Sequence, residues 1–81
     1  MFEYLSENEI IVLEFLKEEY DRRKDNPVVS VDFKANVKIK EDVPKVLEEK
    51  GYIEIKKTAM GDRMEIVSIT LKDKFFVYFN I

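Results

Sequence analysis

Neither cysteine nor histidine occurs in the 81 residues, and their joint absence removes several chemistries at once. Disulfides, thiol nucleophiles, Cys/His zinc sites and imidazole acid–base catalysis all depend on them. Tryptophan is missing as well, and glycine and proline occur twice each. Two isolated glycines cannot build a phosphate-cradling loop. So little Gly and Pro also argues for an ordered chain, not a linker or tail. No run of about 18 apolar residues exists, so no membrane-spanning helix is expected. The first residues carry acids where a secretory leader would need a basic flank. The expectation is a soluble, cytoplasmic protein.

What is present suits one small domain. Apolar residues make up 46% of the chain, with six Phe and four Tyr to build a core. A chain of this length buries a little over ~60% of the surface its unfolded form exposes, enough for a single core. Charged residues make up 38%, for a net charge of −3 that hides a polarity. Residues 1–21 hold seven acids and one base, a net −6, whereas residues 22–81 hold thirteen bases and ten acids, a net +3. The later part can therefore present a basic face to a polyanion despite the acidic average.

Along the chain, Ser6 and Glu9 have the spacing of a capping box. Ile10, Leu13, Leu16 and Tyr20 follow at helical intervals, with Ile11/Phe15 and Val12/Leu16 as i, i+4 pairs. Arg22, Arg23 and Lys24 close the segment where the helix dipole favours cations, and Asn26-Pro27 ends it. The spacing predicts a helix from Ser6 to Lys24, covered on more than one side. Residues 28–40 read two ways. Val31, Phe33, Ala35, Val37 and Ile39 alternate with polar residues as a half-buried strand does. Alternatively, Ser30 caps a short helix with Phe33 and Val37 turned inward.

Glu41–Lys50 is predicted as a helix with Val43, Val46 and Leu47 inward, Pro44 in its first turn, and Gly51 as its left-handed stop. Tyr52, Ile53 and Ile55 begin a strand that Ala59-Met60-Gly61-Asp62 breaks. Glu65–Leu71 is a second strand, and the two read as an antiparallel hairpin. The aromatic tail, Lys72–Ile81, reads as a short helix or a third strand, with the helix favoured.

The run Val46-Leu47-Glu48-Glu49-Lys50-Gly51-Tyr52-Ile53-Glu54-Ile55 resembles the join of recognition helix and first wing strand in bacterial and archaeal winged helix-turn-helix regulators. Ile66-Val67-Ser68-Ile69-Thr70-Leu71-Lys72 is similar to that family's second wing strand. The resemblance covers nearly the whole chain, and the order of elements carries more of it than any one motif. It implies an α+β fold, a three-helix core with a C-terminal β-hairpin wing and a short closing helix. It also implies a transcriptional regulator that docks helix 41–50 and wing 56–63 on double-stranded DNA. Two features depart from the family pattern: the strand-like alternation at 31–39, and Pro44 within the helix that should read DNA.

On that reading the DNA-binding residues are Lys34, Lys38 and Lys40 ahead of the helix, Lys45 on it, and Lys56, Lys57 and Arg63 on the hairpin. The helix itself is acidic: Glu41, Asp42, Pro44, Lys45, Glu48 and Glu49 are its expected exposed positions, without Arg, Asn or Gln to read bases. Those acids favour a second reading, a protein-interaction domain. Arg22, Arg23 and Lys24 are accounted for by the helix dipole. Phe75, Phe76 and Phe79 exceed what so small a core can absorb, and are candidates for a homodimer interface. Glu41/Asp42 and Glu48/Glu49 are sequence neighbours that do not converge on a cleft. No catalytic site, cofactor or metal is expected.

Overall fold

A reciprocal cap starts the first helix, α1 (Glu7–Arg23). Ser6 Oγ accepts the Glu9 N–H at 3.2 Å, and Glu9 Oε1 accepts the Ser6 N–H at 3.3 Å. Ser6 is thus the cap, not the first helical residue. The computed structural model describes residues 4–23, 26–35 and 42–81, so the expected helix end at Lys24 lies outside it. Val12, Leu13 and Leu16 of α1 are fully enclosed, whereas Ile10, Phe15 and Tyr20 are half-buried. Ile11, expected to be covered, is 42% exposed because the core reaches only one flank of the helix.

Three strands follow in one antiparallel sheet, of order β1-β3-β2. β1 (Val28–Asp32) pairs with β3 (Glu65–Leu71), which also pairs with β2 (Ile53–Met60). Alternation places Val29, Val31, Ile53, Val67, Ile69 and Leu71 on the core face. The strand reading of residues 28–40 therefore holds as far as Asp32. A turn takes over at residues 33–35, where Asp32 Oδ1 accepts the N–H groups of Lys34 and Ala35. Ser30 lies inside β1, so it caps no helix. Val37 and Ile39 lie outside the described residues. β2 runs to Met60, past the expected break at Ala59; a register shift between Lys57 and Ala59 absorbs the irregularity.

The second helix, α2 (Asp42–Glu49), ends as its sequence requires. Gly51 has φ +89°, and the Tyr52 and Gly51 N–H groups reach back to Leu47 O and Glu48 O at 3.1 and 3.0 Å. Its burial differs from the expectation in one respect. Pro44 is enclosed with Leu47, while Val43 and Val46 are half-buried, because a Pro44/Leu47 pair at i, i+3 faces the core. The tail forms a third helix, α3 (Asp73–Phe79), closed by Asn80 at φ 57°. Its Phe75 is fully enclosed, with Phe76 and Phe79 packed against the same core. The described residues thus form a small α+β domain of three helices and a three-stranded antiparallel sheet.

Candidate functional site

The sequence-predicted basic residues are only partly brought together. Lys34 sits in the turn after β1, and its Nζ donates to Gly61 O at 2.9 Å, which holds it against the tip of the β2–β3 hairpin. Arg63 is exposed at that tip. Lys57 lies on the core-facing side of β2 and pairs with the buried Glu65 carboxylate at 3.2 Å. Lys56, its neighbour in sequence, points to the opposite face of the sheet. Lys56 and Lys57, read together from the sequence, therefore do not form one patch. Lys45 is exposed on α2. Lys38 and Lys40 lie outside the described residues.

Between α2 and the hairpin runs a groove of about 420 Å³. Asp42, Lys45 and Glu48 of α2 form one wall; Ile55, Lys57 and Glu65 of the sheet form the other, and Phe33 closes an end. Three carboxylates and two ammonium groups leave the groove slightly acidic. Its charges are largely committed to the fold. Glu48 Oε2 accepts the Ile55 N–H at 2.7 Å, so this side chain, expected to be free and exposed, instead caps the outer edge of β2. Glu65 is matched by Lys57, and the Glu65 N–H donates to Asp32 Oδ1 at 3.0 Å. That bond, with those from Lys34 and Ala35, holds the Asp32 carboxyl below its ordinary pKa.

Sequence reasoning missed the committed roles of Glu48 and Asp32. Glu48 reaches the Ile55 N–H in the next element and Asp32 the Glu65 N–H of β3, contacts for which spacing within one element carries no signal. The Asp32 bonds to Lys34 and Ala35 are local. For the expected dimer residues, the structure encloses Phe75 and packs Phe76 and Phe79 onto the core. The apolar side chains that α3 leaves outward are Val77, Tyr78 and, just beyond it, Ile81.

Among the described residues, no group of three or more acids is arranged to hold a metal ion, and no helix is long and apolar enough to cross a membrane. No protein-family model, curated protein or solved structure matches the chain. The fold and its side chains are therefore the ground for any functional reading.

Proposed function

We propose that the protein is a winged-helix-like DNA-binding domain that grips the phosphate backbone through its hairpin. The observation that carries this reading is the Lys34–Gly61 contact, which brings a cation from the far end of β1 to the tip that bears Arg63. Lys34 and Arg63 put positive charge at the hairpin tip, and Lys45 adds a cation on α2 beside the slightly acidic groove. The element order, a helix followed directly by a two-stranded hairpin whose second strand pairs with β1, is compatible with that family. The acids of α2 repel phosphates and count against base reading by this helix. On this reading the contact therefore falls to the hairpin tip, whose phosphate contacts give affinity without sequence information.

Fluorescence anisotropy of a labelled random duplex, at several salt concentrations, tests this. The comparison protein is the Lys34→Glu/Arg63→Glu variant. The expected result is micromolar binding that weakens steeply with salt, with a slope shallower by roughly 2 in the variant. Absence of binding at low salt overturns the reading.

A second reading is a protein-interaction domain, and the outward Val77, Tyr78 and Ile81 favour it. Val77 and Tyr78 of α3, with Ile81 just past its left-handed end, leave apolar surface suited to a second copy of the chain or another protein.

A further inference from the structure

The two outer strands of the sheet are guarded very differently. On β2 the Glu48 carboxylate occupies the outward Ile55 N–H, lysines stand at 56 and 57, and the ladder is interrupted between Lys57 and Ala59. Charges, caps and bulges of this kind keep a free edge from pairing. β1 carries no charge and no bulge over Val28-Val29-Ser30-Val31, and among the described residues only its Val28 N–H is capped.

Which of its backbone groups are open follows from the ladder. Phe33 N–H donates to Glu65 O and Leu71 N–H to Pro27 O. Bonded pairs alternate in an antiparallel ladder, so Val29 and Val31 direct their backbone groups to β3. Val28, Ser30 and Asp32 direct theirs to the free edge. Asn26 Oδ1 accepts the Val28 N–H at 3.0 Å, which leaves Ser30 at the centre of the open stretch.

Beside this edge lies α1. Phe15 and Glu19 form a groove of about 200 Å³ with Ser30, Val31, Asp32 and Ala35. At Phe15 it meets a second hollow, of about 180 Å³, formed with Ile11, Glu14 and Glu18. Phe15 and Ile11 are the large half-buried or exposed apolar side chains of the two hollows, and Glu14, Glu18, Glu19 and Asp32 are their acids. Glu19 already faces Arg22 and Arg23 at 3.4 and 3.9 Å. Glu14 and Glu18 join no ion pair among the described residues.

We propose that the β1 edge is a strand-addition site for an extended, lysine- or arginine-bearing segment of another protein. The segment pairs its backbone with Ser30 and Asp32. Every second side chain then lies on the α1 side, its aliphatic stem over Phe15 and its charge at Glu14 and Glu18. A second copy of this chain is the poorer occupant, because two-fold pairing through β1 brings Glu14, Glu18 and Glu19 of both copies to one seam. The same acids repel a nucleic acid. The site is at the edge of the sheet opposite β2 and does not rest on the DNA-binding reading.

The test is an amide-resolved NMR titration of the whole labelled protein with the heptapeptide Lys-Thr-Lys-Thr-Lys-Thr-Lys. The same peptide with Glu for Lys serves as control. Saturable shifts centred on Ser30, Asp32, Ala35 and the Ile11–Glu18 face are expected for the basic peptide alone. Ser30→Pro removes an edge donor that β3 does not use, and weakens binding about tenfold or more. Glu14→Lys/Glu18→Lys, on exposed positions, weakens it similarly and remains informative if the proline variant fails to fold. Shifts elsewhere, equal binding of the acidic peptide, unchanged affinity in both variants, or no saturation at millimolar peptide each overturn the proposal.

Discussion

Glu9 and Lys50 meet at 2.7 Å, joining the first turn of α1 to the residue that follows α2 across forty-one positions of sequence. Glu9 uses one carboxylate oxygen for its own helix cap and the other for Lys50. Lys50 Nζ also donates to Tyr4 O at 3.1 Å, and its carbonyl accepts Lys74 Nζ from α3 at 2.7 Å. The three helices of the described residues are therefore tied around Lys50. Lys50→Met leaves the nearly buried Glu9 without its cation, and is expected to destabilise the fold by about 1–3 kcal/mol. Chemical denaturation with an unchanged m-value checks it.

The same carboxyl sets an acid limit. Burial alone would raise the Glu9 pKa, but hydrogen bonds from Lys50 and Ser6 outweigh it and hold the group below its ordinary value. Asp32 is held low as well, chiefly by the Glu65 N–H. A carboxyl with a depressed folded-state pKa adds stability above its unfolded value, and that stability is lost as pH falls through the folded one. Stability is expected to be flat near neutrality and to fall from about pH 4–5 downward. The fall should be shallower in Glu9→Gln. Thermal melts from pH 7 to pH 2 compare the two proteins.

Gly51 stands where the backbone turns left-handed after α2, and an added Cβ meets nothing closer than Lys74 Cδ at 3.9 Å. Space is available, so the cost of Gly51→Ala is conformational, about 1–2 kcal/mol. A loss above ~3 kcal/mol would point to a packing role instead.

Two neighbours on α3 should separate cleanly. Phe75 is fully enclosed and Val77 is 78% exposed. Phe75→Ala is expected to cost about 3–5 kcal/mol, a large part of the stability of so small a domain. Val77→Glu should change folding by less than about 0.5 kcal/mol. If α3 forms a homodimer seam, Val77→Glu lowers the sedimentation mass from twice 9.7 kDa to the single-chain value. A wild-type protein that already sediments as one chain removes the dimer.

Lys56 and Arg63 provide an internal control for the DNA reading, since Lys56 lies on the outer face of the sheet and Arg63 at the hairpin tip. Lys56→Gln should leave duplex affinity within about twofold, whereas Arg63→Gln at the hairpin tip should weaken it several-fold. Equal effects at both positions would mean that charge is sensed from all sides and that the hairpin forms no specific edge.

Local features could be read from the chain because local chemistry sets them. The Ser6/Glu9 cap, the left-handed stop at Gly51, the hairpin of Ile53–Met60 and Glu65–Leu71, and the inward alternation of Ile53 and Ile55 all follow from neighbours a few residues apart. Tertiary packing decided the rest. It turned Pro44 inward, joined Glu48 to Ile55, set Lys34 on the hairpin tip, and spent Phe75 in the core. The separation of Lys56 from Lys57, by contrast, is local, since the pleat of a strand sends neighbours to opposite faces. A charged side chain reads as surface in sequence because water is its default partner. Only the folded chain brings a distant N–H or carbonyl close enough to replace that water, and so decides which charges remain available for a partner.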